Sequence, residues 1–197
     1  WSWVRLGNLY NDLSYGTAQK CVPDPSAGSP VLRIPNIDTR GGTVNMADLK
    51  FAQLSEDELT RWKVSQGDLL LIRSNGSTGL VGRAVVAPAV AEGTAFAGYL
   101  MRLRMPEGLS EYVRLVLETP QVRDSIEGPI RTTSGVKNIN TTEVSMLKVP
   151  LPPIGEQRRI IERVNELLVL CDNLEGRLSC AQETRASFAT SAVASFA

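Results

Sequence analysis

Hydrophobic and polar positions change their rhythm near residue 154. Before it, short apolar runs alternate with turn signals; after it, one steady period continues almost to the end and no proline occurs. In the first part, Pro30 to Ile37 reads as an extended segment bounded by prolines. Ser55-Glu56-Asp57-Glu58 is a capping box opening a short helix toward Trp62, its acids suited to the helix dipole. Leu69 to Arg73 is an apolar run of strand length after the Gly67-Asp68 turn. The Asn75-Gly76 turn pair and a second strand over Leu80 to Val86 then predict a hairpin. Ala97 to Arg104 predicts another strand, with Arg102 and Arg104 on one face. Ser110 caps a short helix that Pro120 interrupts or restarts. Arg131 to Asn140 reads as a polar loop, Asn140 to Glu143 as a cap, and Lys148 to Pro153 as an edge strand or rigid strut. Strands and helices without regular βα alternation give an α+β domain with a mixed sheet.

The last segment is a heptad seam. Ile160, Val164, Leu167, Cys171, Leu174, Leu178 and Ala181 step by four and three, and charges such as Glu156, Arg159, Glu162, Arg163 and Glu166 fill the other faces. Arg185 breaks the seam, and Phe188 and Ala192 resume it. A continuous helix from Gly155 to about Ser195 would span roughly 60 Å. The period of 3.5 rather than 3.6 favours another helix as partner over a helix lying on its own core. Gly176 costs about 1 kcal/mol relative to Ala in such a helix. The expected domains are thus 1–154 and 155–197.

Composition narrows the chemistry. The 197 residues contain no histidine, which removes His-based triads and general bases and nearly every zinc enzyme. Three cysteines, Cys21, Cys171 and Cys180, without CxxC spacing predict no disulfide framework and a reducing cytoplasm. No apolar run reaches transmembrane length, and Trp1 to Arg5 lacks the pattern of a signal peptide. The missing initiator Met reads as processing or as a piece of a longer chain. Basic and acidic residues balance at 21 each, although most of the basic ones are Arg, which suits planar bidentate acceptors. A GC-rich genome explains that bias equally well.

No phosphate loop, dinucleotide fingerprint or nucleophile elbow is present. Two polar loops remain: Arg73 to Gly79 followed by Arg83, and Arg131 to Asn140. Arg pairs bidentately with guanine, Asn with adenine, and Ser or Thr with several acceptors or phosphate. Between Arg73 and Arg104 there are four Arg and a single acid, Glu92, which adds modest support for DNA contact. The plain alternative is that both loops are simply turns and caps.

The motifs Trp3-Val4-Arg5-Leu6-Gly7, Tyr15-Gly16-Thr17, Leu32 to Ile37, Gly67 to Leu70 with Arg73 to Gly76, Leu80 to Arg83, Ser134 to Asn140, and above all Pro150-Leu151-Pro152-Pro153-Ile154-Gly155-Glu156-Gln157-Arg158-Arg159-Ile160 run in order along the chain. With them the chain resembles one half of a specificity subunit of a type I restriction-modification system, a target recognition domain followed by one conserved helix. The resemblance implies a non-catalytic reader of half of a split double-stranded DNA target. Its long helix forms an antiparallel coiled coil with a second half-subunit or a second copy. Methyltransferase subunits carrying S-adenosylmethionine and a motor-nuclease subunit using ATP are the further partners, in a prokaryotic cytoplasm. Neutral charge then reflects phosphate contacts shared with those subunits. The implied DNA-binding set is Arg33, Asn36, Arg73, Ser74, Asn75, Ser77, Thr78, Arg83, Arg131, Thr133, Ser134, Lys137, Asn138 and Asn140. The helix-pairing set is Ile160, Val164, Leu167, Cys171, Leu174 and Leu178. Two other readings stay open: an adaptor that uses the helix while its domain binds protein, and a self-contained methyltransferase or nuclease. Against the methyltransferase, Leu151-Pro152-Pro153-Ile154 lacks the acid or amide of a [DN]-P-P-[YF] motif.

Overall fold

The computed structural model describes residues 1–128, 131–133 and 136–194, leaving aside the side chains of 78, 131–133, 136 and 186–194. The chain divides into two compact units, Trp1–Pro152 and Pro153–Ala197.

The first unit is α+β, as the irregular alternation of elements leads one to expect. Its centre is a four-stranded antiparallel sheet in the order Asp12–Tyr15, Leu100–Arg104, Leu69–Ile72, Ala84–Val86. Every residue of Leu69–Ile72 is buried, which is why that run is continuously apolar rather than alternating. Leu70, Ile72, Val85 and Leu100 form one core with Leu32 and Phe96. Burying each such Leu, Ile or Phe contributes about 1.5–3 kcal/mol. Leu32 and Phe96 come from a second sheet, in which Ser29–Leu32 pairs parallel with Ala95–Phe96 and antiparallel with Lys50–Ala52.

The segment ahead of Pro153 is a strand, Lys148–Leu151, paired antiparallel with Ser2–Arg5. Pro150 sits opposite Trp3 in this two-stranded ribbon, where its missing N–H is tolerated. The Tyr112 hydroxyl donates to the Pro150 carbonyl at 2.6 Å, tying helix Ser110–Leu117 to the ribbon, and burial pushes that phenol above its ordinary range.

Several expectations need correction. The second strand of the hairpin is only Ala84–Val86, because a 3-10 turn occupies Thr78–Leu80 and Gly82 adopts φ +81°. Ser110 is the first helical residue rather than the cap, and its hydroxyl donates to the Gly67 carbonyl at 2.6 Å. The strand expected over 97–104 begins at Leu100. Arg131 to Asn140 is not a plain loop, since Arg131–Thr133 and Val136–Asn138 pair as an antiparallel hairpin.

The second unit is one helix, Ile154–Ala194, within which Gly176 is accommodated. Along it, Ile160 and Val164 are half-buried, whereas Leu167, Cys171, Leu174 and Leu178 are exposed. Among the described residues no helix is long and apolar enough to cross a membrane.

Candidate nucleic-acid interface

The two polar loops, distant in sequence, meet in a single sheet. Ser74–Asn75 pairs antiparallel with Val136–Asn138, which pairs in turn with Arg131–Thr133. Asn75 lies directly opposite Lys137 and Ser74 opposite Asn138. Directly opposed residues share a face, and successive residues alternate. Ser74 is buried, so its face turns inward; Asn75 and Lys137, each half-buried, stand together on the opposite face. Arg73 anchors this sheet to the rest of the unit: its N–H donates to the Tyr99 carbonyl at 3.0 Å, and its carbonyl accepts the Ile139 N–H at 2.9 Å.

Beside the sheet lies a cleft of about 690 Å³ whose lining includes Tyr15, Lys20, Arg33, Arg73 and Tyr99. Arg73 lies over the Tyr15 ring, its guanidinium carbon 4.3 Å from the centroid, a favourable cation–π arrangement. Its Nη1 donates to the Gly98 carbonyl at 3.3 Å. The Tyr15 hydroxyl accepts the Thr141 N–H at 3.1 Å. Arg33 donates through Nη2 to the Asp48 carbonyl at 3.3 Å and faces the exposed Asp48 carboxylate at 3.6 Å. Cys21 lines the same cleft; burial pushes its thiol up, against the opposing pull of Arg33.

Gly16 sets the position of Tyr15. A Cβ there would come within 2.2 Å of the Phe96 carbonyl oxygen and 2.4 Å of that of Ala97, both fixed backbone. The neighbouring Thr17 N–H is bonded to Phe96 at 2.8 Å, so the strands have no slack. Gly16→Ala should destabilise the domain by about 1–3 kcal/mol. Urea unfolding would measure it, and an unchanged midpoint would show that the backbone yields there.

Other predicted positions sort clearly. Asn36 is a correction: it is buried, its Nδ2 donates to the Asn45 and Ala47 carbonyls at 3.1 and 3.0 Å, and its Oδ1 accepts the Arg33 N–H at 2.9 Å. It folds a turn and has no free edge for DNA. Ser74 is excluded by burial. Arg83 is neutralised by Glu118 at 2.6 Å and donates Nε to the Gly79 carbonyl at 2.6 Å. Asn140 caps helix Thr141–Met146, its Oδ1 accepting the Glu143 N–H at 2.9 Å. Asn75 also accepts, from the Ser77 N–H at 2.8 Å, while Ser77 itself is exposed. Asn138 is half-buried in its strand. Arg131 and Thr133 have their backbones in the sheet, but their side chains, that of Thr78, and Ser134 altogether lie outside the described residues. Tyr15, Lys20 and Tyr99 line the cleft without belonging to the predicted set; Tyr15 stands within a sequence motif, but only tertiary structure brings it under Arg73.

The Arg-rich stretch from 73 to 104 is less basic than it reads. Arg102, at 3% exposure, donates to Asp12 at 2.5 Å, and Arg104 forms a fork with both oxygens of Asp68 at 3.0 Å. The Asp68 hydrogen bonds hold Arg104 more firmly charged than usual.

No family model matches the chain. It is 33% identical over 179 residues to the type I restriction enzyme EcoKI specificity subunit of Escherichia coli K12, an alignment covering 89% of this chain and 38% of that protein. It is 25% identical to the StySPI specificity subunit of Salmonella potsdam, over 91% of this chain and 38% of that one. The HsdS subunit of Thermoanaerobacter tengcongensis shares the fold with a TM-score of 0.65 at 18% identity, over 88% of this chain and 43% of that one. The S subunit of a type I system from M. genitalium does so with a TM-score of 0.53 at 14% identity, over 89% and 40%. Over nine tenths of its length or nearly so, and spanning about two fifths of each full-length relative, the chain belongs to the family of type I restriction enzyme specificity subunits.

Proposed function

We propose that the chain is a non-catalytic, sequence-specific reader of one half of a split double-stranded DNA target. The observation that carries this is the joining of two polar loops, far apart in sequence, into one sheet that sets Lys137 and Asn75 side by side on the face opposite the buried Ser74. A solvated turn needs no such partner. A reader of base edges needs side chains held in fixed register on a rigid element, and cross-strand pairing supplies that. Of the predicted set, Arg33, Arg73, Asn75, Ser77 and Lys137 retain the reading, whereas Asn138 shares the inward face of Ser74. Thr78, Arg131, Thr133 and Ser134 keep it on chemistry and position along the chain.

In this reading the domain directs methyltransferase subunits, which hold S-adenosylmethionine, and an ATP-driven restriction subunit in a prokaryotic cytoplasm. The second unit pairs antiparallel with a second half-subunit or a second copy, as a coiled coil with Ile160, Val164, Leu167, Cys171, Leu174 and Leu178 as its seam. The catalytic chemistry belongs to those partners.

Lys137→Ala and Asn75→Ala should each cost about 1–3 kcal/mol of specific affinity if they read bases, relaxing one position of the target. Selection of bound duplexes from a random pool reads both effects. Unchanged affinity and unchanged target for the double variant would remove the sheet from the interface.

A further inference from the structure

We infer that the cleft beside the reading sheet seats a backbone phosphodiester of the DNA, gripped by Lys20, Arg33 and Arg73, with Tyr15 as the platform that positions Arg73. The inference rests on the DNA-reading role proposed above and divides the labour within it: the cleft grips and the sheet face reads.

Charge is the first argument. Three cations line the cleft, and among its described lining residues there is no carboxylate. The Asp48 carboxylate that meets Arg33 is itself largely exposed and only weakly screens it.

Pre-ordering is the second. Arg33 and Arg73 are both only half-buried, and each side chain is held by another contact, Arg33 at the Asp48 carbonyl and Arg73 at the Gly98 carbonyl. Arg73 is fixed twice, by the Tyr15 ring and by the Gly98 carbonyl. A guanidinium already ordered and still partly exposed binds an oxyanion without first losing its rotamer freedom.

Shape decides between phosphate and base. The two guanidinium groups are recessed in a concave surface, so they meet only what stands proud of the ligand. On duplex DNA the phosphate oxygens stand proud, while base edges lie at the floor of a groove and need a projecting side chain. Lys137 and Asn75, half-exposed on the sheet face opposite the buried Ser74, are placed for the second task; Arg33 and Arg73 are placed for the first. The two sites are also covalently continuous, since Arg73 directly precedes Ser74 and its carbonyl holds Ile139.

The test uses the full chain with labelled duplexes, one containing the selected target and one random, across about 50–200 mM salt. Lys20→Gln and Arg33→Gln should each weaken both duplexes equally, by about tenfold. Each should also flatten the slope of log affinity against log salt by about 0.9, the share of one phosphate contact. Lys20→Arg should restore both. Tyr15→Leu should reproduce the loss of Arg73→Gln, and the double variant should lose no more than either alone; Tyr15→Phe, which keeps the ring, should bind like the parent. Lys20 is exposed, so Lys20→Gln reports on binding with the fold intact. A changed target preference in the Lys20 or Arg33 variant would overturn the division of labour. So would an unchanged salt slope in both variants when the wild type binds its target selectively. A wild type that binds no duplex would overturn the reading role and the grip together. Titration with inorganic phosphate separates the remaining source: phosphate binding lost in Lys20→Gln while duplex binding is untouched would assign the cleft to a soluble anion and refute the inference.

Discussion

Arg102→Met should lower the stability of the first unit by about 2–4 kcal/mol, the cost of removing charge-assisted hydrogen bonds to buried acceptors. The Arg102 side chain is almost fully buried. One nitrogen donates to Asp12 at 2.5 Å, another to the Lys63 carbonyl at 2.5 Å, and Nε lies 3.9 Å from Asp68. Met fills a similar volume, so the loss is electrostatic rather than a cavity. Asp68 keeps the Arg104 fork and the Ser65 N–H, but the Lys63 carbonyl loses its short donor and the Arg61 carbonyl its bond at 3.3 Å. Asp12 is half-exposed and is rescued by water, so most of the effect comes from the two carbonyls. Arg102→Lys keeps the charge but cannot fork between Asp12 and Lys63, and should fall between wild type and Met. Against a total of about 5–15 kcal/mol for a domain, the Met variant should melt many degrees lower. A chemical-denaturation midpoint equal to that of the wild type would show that the network contributes nothing net.

The same arginines explain what could be seen in the sequence and what could not. Local signals held. The Ser55–Glu58 and Asn140–Glu143 capping boxes both form, because each needs only a four-residue stretch. The apolar run at Leu69–Ile72 is a strand, and the seam beyond Pro153 lies on one continuous helix, Ile154–Ala194. Strand pairing across large separations was not legible. Arg131–Thr133 and Val136–Asn138 carry no apolar alternation, and the strand that completes their hairpin, Ser74–Asn75, lies far away in sequence. The excess of Arg between 73 and 104 read as available charge. Three of those four side chains are in fact balanced by Asp12, Asp68 and Glu118, which the fold brings from other segments. Arg73 alone of the four meets no carboxylate among the described residues, and it leans instead on an aromatic ring that no local pattern could associate with it. Asn36 failed for the mirror reason: an Asn flanked by a proline and a turn is as suited to stitching backbone as to meeting adenine, and burial chose the former.

Leu167→Asp combined with Leu174→Asp should abolish pairing of the long helix with a second copy. The two positions are one heptad apart on the seam, and both are exposed in the single chain. A symmetric pair would lose four leucines, about 6–12 kcal/mol of burial at 1.5–3 each. A micromolar dimer is held by only about 8.2 kcal/mol, so the double variant should sediment as a monomer even where the parent is fully paired. The four introduced carboxylates face one another in an apolar seam, which adds repulsion to the loss. Orientation can be read separately. The seam from Ile160 to Ala181 is centred near Cys171, so an antiparallel pair places each copy's Glu162 nine residues on opposite sides of that centre. At 1.5 Å per residue, spin labels at position 162 would then stand about 27 Å apart, whereas a parallel pair would hold them roughly one helix spacing, about 10 Å, apart. The longer distance is the one the proposed function expects, since in that reading antiparallel helices carry two DNA-reading units to opposite ends of a twofold arrangement and so fix the interval between two half-sites. A short label distance would assign the parallel arrangement, and a wild type monomeric at tens of micromolar would remove the second copy as the partner of this seam.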